Sequence, residues 1–154
     1  MTFQERTRDI ARLRHWPGDM EADYNYTAGI AGDEFYQKLR EEGKLLASPC
    51  ATCGVAWLPP KIYCENCLSH LTEFREIPNE GTVSAFTVVN VDIHERKLST
   101  PDVRALITFE GTRGGILHYL NVPASAVKVG MKVKAVLKPK EQRTGTILDI
   151  AHFE

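Results

Sequence analysis

All the cysteines of the chain lie close together, within residues 50–67. They form two Cys-x2-Cys pairs separated by ten residues, and the members are Cys50, Cys53, Cys64 and Cys67. A Cys-x2-Cys pair makes a tight turn, here called a knuckle, that aims two thiolates at one point. Two knuckles supply the tetrahedral set of four sulfurs that suits zinc. Gly54 directly follows the first pair, where the backbone of a knuckle needs a positive φ. The spacing therefore predicts one four-cysteine metal site.

The predicted metal is structural rather than catalytic. A catalytic zinc keeps one coordination position open, whereas four thiolates fill the sphere. Zinc is favoured, with iron in a rubredoxin-like site as the alternative, because a tetrahedral all-thiolate site accepts both metals. Disulfides are not expected in a reducing cytoplasm, and a thioredoxin-type motif would need one such pair beside a βαβ pattern. His70 lies just past Cys67, but the ligand set is already complete, so we expect an ordinary surface histidine.

The rest of the chain shows no self-contained active site. The histidines are scattered, and none stands in a nucleophile–base signature with a serine or a free cysteine. They are His15, His70, His94, His118 and His152. No stretch resembles a phosphate-binding loop or a dinucleotide fingerprint. His118 falls in a strand pattern, and we expect it to be structural.

The composition is that of a soluble globular protein. The chain has 154 residues, of which 43% are hydrophobic and 25% charged, and its net charge is -1. A protein that mainly grips a nucleic acid backbone needs a clear basic excess, so that class is disfavoured. The sequence contains no apolar run long enough for a transmembrane helix, and its charged beginning lacks an apolar signal core. We therefore expect a cytoplasmic protein.

Residues 1–43 are predicted to form an N-terminal helical arm. One helix falls on "ERTRDIARLRH" and a second on "GDEFYQKLREEGK". In the second helix Asp33 is the expected N-cap and Gly43 the expected end. The segment between the helices lacks clean periodicity, so it orders either against a partner or against its own domain. The residues expected to dock a partner are Tyr24, Tyr26, Ile30, Phe35 and Tyr36.

Residues 44–75 are predicted to be the metal module, a rubredoxin-like zinc ribbon. Trp57 and Leu58 lie between the knuckles and are expected to cover it, while the Pro59–Pro60 pair stiffens the turn. Such a module is too small to fold on apolar burial alone, so metal binding supplies much of its stability.

Residues 76–154 are predicted to be all β. Strand patterns occur at "GTVSAFTVVNV", "DVRALITFE", "GGILHYLNV", "GMKVKAVLK" and "GTILDIAHF". In the fourth pattern, Val133 and Ala135 point inward between outward lysines. Five strands so placed suit a small Greek-key barrel of the OB type, with an SH3-like barrel or a small sandwich as alternatives. The expected fold class is thus α+β, mostly β, with helices, ribbon and barrel in that order.

Cationic residues fall at two places in this β region. Lys132, Lys134 and Lys138 lie along the fourth strand pattern, where a cationic strip could steer an anionic ligand. Arg96 and Lys97 lie in "DIHERKLSTPD", a long connection for a hairpin, and long loops are often functional. Binding of single-stranded nucleic acid is an alternative role for such a barrel, but the surrounding acids cancel the charge of the lysines.

The order of the motifs resembles that of a known family. A short helix is followed by "GKLLASPCATCGVAWLPPKIYCENC", the bridge "LTEFREI", the strand "GTVSAFTVVN" and, near the end, "VGMKVKAVL". Over roughly residues 33–154 this order is similar to the acyl-CoA-associated zinc-ribbon/OB-fold family, long catalogued as a domain of unknown function. The longer arm with "YNYTAGIAG" resembles members that accompany thiolases.

The resemblance implies a non-catalytic subunit of an acyl-CoA enzyme. In such a family the metal is structural, the arm and ribbon dock on the partner, and the barrel helps to shape a channel for CoA or the acyl chain. The expected partner is a thiolase, acting on 3-ketoacyl-CoA in a hetero-oligomer, with an acyl-CoA hydratase or an aldolase as alternatives. The cationic residues above would then contact CoA phosphates or the partner at a shared interface.

Overall fold

The computed structural model of the chain describes residues 26–92, 94 and 96–154, and its first element is helix α1, Gly29–Glu42. The helix buries Ala31, Phe35 and Leu39, which lie on one face because they recur at helical spacing. Gly43 ends the helix as predicted, with a φ of 71° and its N–H bonded to the Leu39 carbonyl oxygen. Within the described ranges, no helix combines the length and apolarity needed to cross a membrane.

The prediction of Asp33 as the N-cap is wrong. The helix begins about one turn earlier, after Ala28, whose side chain makes no capping hydrogen bond. Asp33 lies inside the helix and accepts a hydrogen bond of 2.8 Å from Gln37 Nε2. The buried Ala31 explains the earlier start, because it extends the apolar stripe one turn upstream of Phe35. The predicted first helix and Tyr24 lie outside the described residues.

Four short strands form the sheet of the ribbon, in the order β3-β1-β2-β6. They are β1 (Leu45–Pro49), β2 (Ala56–Leu58), β3 (Arg75–Ile77) and β6 (Thr112–Gly114). Strand β1 pairs antiparallel with β2 and β3, whereas β2 pairs in parallel with β6. A Cβ at position 114 would overlap the Leu58 carbonyl oxygen, so glycine is required where these two strands meet.

Five longer strands form the barrel, in the order β7-β5-β4-β8-β9 with every pair antiparallel. They are β4 (Glu80–Val91), β5 (Lys97–Thr108), β7 (Ile116–Tyr119), β8 (Lys132–Leu137) and β9 (Ile150–Phe153). The Asn121 N–H donates to the Phe153 carbonyl oxygen at 2.7 Å, so the chain after β7 meets β9 and the sheet curls on itself. This is the five-stranded OB fold that the strand patterns predicted.

The connection between β4 and β5 is shorter than predicted. Lys97 to Asp102 belong to β5, where Lys97 lies opposite Val91 and Asp102 opposite Val89. Strand β7 pairs only with residues 104–107 of β5, so the first part of β5 is an edge of the sheet. Pro101 is tolerated there because a residue at an edge does not need to donate a backbone hydrogen bond. Strand β5 begins at Lys97, and the Asp92 N–H donates to the Arg96 carbonyl oxygen at 2.9 Å, so the connection is shorter than the expected long loop.

One hydrophobic core joins the helix, the ribbon sheet and the barrel. Leu45 and Leu58 of the ribbon strands pack in the same cluster as Ile107 and Phe153 of the barrel. Trp57 faces the other way, into a small cluster with Cys50, Cys64 and Leu71. Of the two residues expected to cover the ribbon, Trp57 does so, whereas Leu58 belongs to the main core because side chains alternate along β2.

Candidate metal centre and contact surfaces

The two knuckles have the same backbone hydrogen bonds. In the first, the Cys50 N–H donates to Val55 O at 2.7 Å and the Gly54 N–H donates to Cys50 O at 2.8 Å. In the second, the Cys64 N–H donates to Ser69 O at 2.9 Å and the Leu68 N–H donates to Cys64 O at 2.9 Å. Each knuckle therefore needs a positive φ at the residue after its second cysteine.

That residue differs between the knuckles. Gly54 has the predicted positive φ, 68°, and Leu68 has a φ of 59°. The left-handed conformation costs a non-glycine residue roughly 1 kcal/mol, and the Leu68 side chain is also 77% exposed. Neither burial nor backbone preference explains a leucine at this position, and the sequence patterns did not single it out.

The four sulfurs converge as the spacing predicted. All lie within 4.8 Å of one another, with Cys50 Sγ 3.6 Å from Cys67 Sγ and Cys64 Sγ 3.9 Å from Cys53 Sγ. A zinc ion bound at about 2.3 Å by four thiolates requires sulfurs about 3.8 Å apart at the corners of a tetrahedron. All four cysteines are free of disulfides. The donor set therefore fits zinc and fills its coordination sphere.

Hydrogen bonds prepare part of this set for deprotonation. Burial raises the pKa of the Cys64 thiol, but the N–H groups of Cys67 and Asn66 outweigh it, and the pKa is lowered to about 6. The Ser69 hydroxyl and N–H lower the pKa of Cys67. Contact with the Cys67 sulfur and burial raise the pKa of Cys53 to about 12. A bound divalent cation would displace the proton of the Cys53 thiol and offset the charge of the thiolates.

Apolar side chains surround the second knuckle and define what we call the knuckle patch. Its members are Ile62, Tyr63 and Leu68, which are 37%, 55% and 77% exposed. The Tyr63 ring lies 5.2 Å from that of His70, which is exposed, as expected of a surface histidine. The patch offers a contact surface beside the metal centre.

The predicted docking residues of the arm separate into two groups. Tyr26 and Ile30 are 85% and 71% exposed, at the start of α1. Phe35 is 2% exposed and lies in the main core, and this corrects its assignment to a docking surface. Tyr36 is half-buried against the same core, with its ring 5.4 Å from that of Phe35.

The predicted cationic residues do not converge on one place. Lys132 and Lys134 pair with the start of β4, whereas Lys97 pairs with its end at Val91, roughly 30 Å away along the strand. Arg96 Nη2 lies 2.7 Å from Asp92 Oδ2. Lys138 lies beyond the end of β8, after a register shift at Leu137 that breaks the alternation.

Carboxylates balance the two lysines that do lie together. Lys132 and Lys134 line a groove of about 640 Å³ that also contains Glu80, Glu110 and Glu154. Lys134 Nζ is 3.5 Å from Glu80 Oε1. This groove alone therefore lacks the positive charge that a phosphate group would need.

His118 is a structural histidine in this barrel. Its side chain is buried between β5 and the 3-10 helix Ile147–Asp149, with Nε2 3.3 Å from Ile147 O. Burial lowers its pKa below the usual range, and the rings of Tyr119 and Phe153 pack against it. Burial therefore favours the neutral imidazole, and the Ile147 carbonyl acts in the opposite direction without outweighing it.

Two family models match consecutive parts of the described chain. Residues 38–73 match the family of the ChsH2 rubredoxin-like zinc ribbon domain, and residues 74–138 match that of the ChsH2 C-terminal OB-fold domain. No curated protein matches the chain.

Solved structures that are similar to it include the following two. One is a Sulfolobus solfataricus protein of unknown function from the DUF35 family, with 34% sequence identity, a TM-score of 0.63, and coverage of 70% of this chain and 78% of that one. The other is the Ltp2–ChsH2(DUF35) aldolase, with 23% identity, a TM-score of 0.55, and coverage of 72% and 87%. At this lower identity the second likeness is one of fold.

Proposed function

The chain belongs to the DUF35 family of ChsH2-like zinc-ribbon and OB-fold proteins, and from that premise we propose that it is a non-catalytic subunit of an acyl-CoA-processing complex. The observation that carries the proposal is the succession of two ChsH2 domains along residues 38–138. The fold is shared with a chain that is part of an aldolase complex. The filled four-thiolate site supports the same role, because such a metal holds structure and has no open position for a substrate.

The partner is proposed to be an enzyme that makes or breaks a carbon–carbon bond near a CoA thioester. The longer N-terminal arm resembles members that accompany thiolases and so favours a thiolase, whereas the name of the similar aldolase complex favours an aldolase. In either case the nucleophile and base would come from the partner. This chain would order the partner's loops and exclude water from the thioester and the carbanion.

Two exposed apolar regions support a docking role. Tyr26 and Ile30 lie together at the start of α1, and the knuckle patch lies beside the metal centre. Exposed apolar groups rimmed by polar residues are typical of protein–protein interfaces. Leu68 in particular combines an unfavourable φ with an exposed side chain, and residues held this way often serve contacts.

Contact with CoA is proposed only at an interface with the partner. Lys132 and Lys134 share their groove with three carboxylates, so the partner must add cations before a phosphate binds there. Arg96 and Lys97, at the opposite end of β4, would contact the partner or a phosphate separately.

The test is a native pull-down of the tagged chain from its own cells, with mass spectrometry of the recovered proteins. We expect a near-stoichiometric acyl-CoA enzyme. The purified complex is then assayed with two substrates. Cleavage of a 3-ketoacyl-CoA that requires free CoA identifies a thiolase, and cleavage of a 3-hydroxyacyl-CoA without added CoA identifies an aldolase.

A matched control is the Cys64→Ser chain, which should unfold the knuckles, lose the knuckle patch and recover less of the enzyme. Recovery of RNA, of ribosomal proteins or of nothing with the unchanged chain would contradict the proposal and favour the nucleic-acid alternative or a separate role.

A further inference from the structure

The outer face of strands β7, β5 and β4 has two regular cross-strand rows. In one row Leu117, Leu106 and Ala85 lie side by side, and in the next Tyr119, Arg104 and Thr87 do so. We call these six residues the outer sheet face. The opposite face of the same strands is buried in the core, for example at Ile107 and Ile116.

Large apolar side chains are exposed on this face. Leu117 is 69% exposed, Leu106 36% and Tyr119 39%. A sheet that faces water normally carries polar residues on that side. Two neighbouring leucines and a tyrosine in adjacent rows instead form a contiguous apolar surface, which is typical of a site covered by another molecule.

Arg104 lies at the centre of the second row and lacks a hydrogen-bonded anion. Its guanidinium carbon is 3.2 Å from the centre of the Tyr119 ring. Its Nε is buried and meets no hydrogen-bond partner in the part of the chain that the structure describes. The nearest carboxylate, Asp102, is 3.6 Å from Nη2, which is longer than a hydrogen bond.

A guanidinium that is stacked on a ring and lacks a hydrogen-bonded anion can bind a planar anion. Stacking on Tyr119 fixes the plane of the arginine fork, and a fixed fork binds a carboxylate through two parallel hydrogen bonds. Although Nε is buried, the Arg104 side chain as a whole is 33% exposed. An incoming carboxylate would bind the fork from its exposed side, so the chemistry of the face is apolar area around one anion-binding point.

The charge of the face favours a protein over a nucleic acid. Arg104 is the one charged residue in the two rows, and Asp102 lies beside it on β5. A nucleic acid strand needs a groove of several cations along its backbone. Arginine and tyrosine are instead residues enriched at protein–protein hot spots, and the exposed leucines beside them supply apolar contact area.

We propose that the outer sheet face docks the enzyme subunit of the complex, through an apolar patch of that subunit that carries one carboxylate. Leu106 and Leu117 pack on the apolar patch, and Arg104 binds the carboxylate while it remains stacked on Tyr119. This inference rests on the proposed function and names a surface distinct from the arm and the knuckle patch.

The test uses the full chain with Leu117→Asp, which places a negative charge where the partner's carboxylate approaches. The matched control is Val129→Asp, because Val129 is 64% exposed and lies on the turn before β8. Each chain is used as bait in its own cells, and the enzyme recovered with the unchanged chain is then purified and titrated against each variant. Leu117→Asp is expected to weaken the Kd about 30-fold or more, and Val129→Asp to leave it unchanged.

A second variant, Arg104→Lys, keeps the charge but loses the planar fork. We expect a Kd weakened about tenfold, with an unchanged melting temperature.

The outcomes separate the inference from the proposed function. If the unchanged chain recovers an acyl-CoA enzyme and Leu117→Asp recovers it equally well, the face is not the docking surface and the proposed function stands. If the unchanged chain recovers no acyl-CoA enzyme, both are overturned. Salt-sensitive binding of a labelled deoxythymidine oligonucleotide that Leu117→Asp abolishes would assign the face to nucleic acid instead.

Discussion

Gly54 and Leu68 occupy equivalent positions in the two knuckles. They differ in how readily each residue type adopts the left-handed φ that the position requires. Their N–H groups make the same hydrogen bond to the first cysteine of each pair. A Cβ at Gly54 would meet nothing within 4 Å, so space does not exclude a side chain there. The difference between the two positions therefore isolates the cost of a left-handed φ from any cost of packing.

Exchanging these residues should change stability in opposite directions. We expect Leu68→Gly to raise the free energy of unfolding by about 0.5 kcal/mol, because relief of the left-handed φ exceeds the added entropy of the unfolded chain. Gly54→Leu, the matched reverse change, should lower it by about 1 kcal/mol. Urea unfolding with saturating zinc measures both. Loss of stability in Leu68→Gly would show that the exposed leucine has packing contacts of its own.

Asp149 supports the loop before β9 through its carboxylate. Oδ1 accepts a hydrogen bond from the Thr144 N–H, and Oδ2 accepts from the Gly145 N–H, each at 2.8 Å. Burial acts to raise the pKa of Asp149, but the N–H groups of residues 144–146 outweigh it and hold the pKa below the ordinary value of 3.8.

This shift predicts how stability depends on pH. Because the pKa is lower in the folded chain than in the unfolded one, Asp149 stabilises the fold above pH ~4, and that contribution falls as the pH decreases through the folded pKa. Asp149→Asn should lower the free energy of unfolding by about 2 kcal/mol at pH 7, because the amide nitrogen of asparagine cannot accept hydrogen bonds from the backbone N–H groups. Its melting temperature should also depend less on pH between pH ~2 and ~4. An unchanged pH profile in the variant would contradict this role.

At the scale of elements, the ribbon divides into a part held by the core and a part held by the metal. Leu45, Leu46 and Ala47 of β1 pack in the main core. Within residues 50–71, Ala56 and Leu58 of β2 also reach the main core, but the knuckles themselves have only the small cluster of Trp57 and Leu71 with two cysteines. A cluster of this size cannot hold the knuckles together by apolar burial, so metal binding does so.

Cys64→Ser should therefore release the metal and unfold the knuckles while the barrel stays folded. Elemental analysis should find one zinc per unchanged chain and none in the variant. Hydrogen exchange should become fast in the two knuckles, residues 50–55 and 62–71, and stay slow in β4 and β5. If the purified protein is red and contains one iron, the bound metal is iron and not zinc. A Cys64→Ser variant that keeps its metal would exclude the four-cysteine site.

Local patterns predicted these elements well where a single segment decides the structure. The repeated Cys-x2-Cys spacing, the alternation around Val133 and the glycine at position 43 each depend on their near neighbours. The pairing of β2 with β6 and the strand conformation around Pro101 depend on residues distant in the chain. No local pattern reports such contacts, and the outer sheet face became visible only when three strands were placed in register.

At the scale of the whole molecule, α1 both completes the core and presents exposed residues. Phe35 and Leu39 pack on the ribbon and barrel, while Tyr26 and Ile30 face outward at its start. Under the proposed function, we therefore expect stability and docking to depend on different parts of residues 1–43.

Two truncations should separate those contributions. Deletion of residues 1–28 retains the helix and should leave the melting temperature unchanged while it weakens binding of the enzyme subunit. Deletion of residues 1–43 also removes Phe35 and Leu39 and should cost at least about 3 kcal/mol, because both side chains are buried in the core. Normal assembly of the shorter deletion, measured by size-exclusion chromatography with the partner, would exclude residues 1–28 as a docking element.

The parallel pairing of β2 with β6 bears on how members of this family can be recombined. The two family matches change at residue 74, which invites a chimaera joined there. Yet Ala56, Trp57 and Leu58 pair with Thr112, Arg113 and Gly114, far beyond that junction. A transplanted ribbon would meet a foreign strand unless residues 112–114 moved with it. The exchangeable unit is thus discontinuous in the gene, and a graft should include both segments.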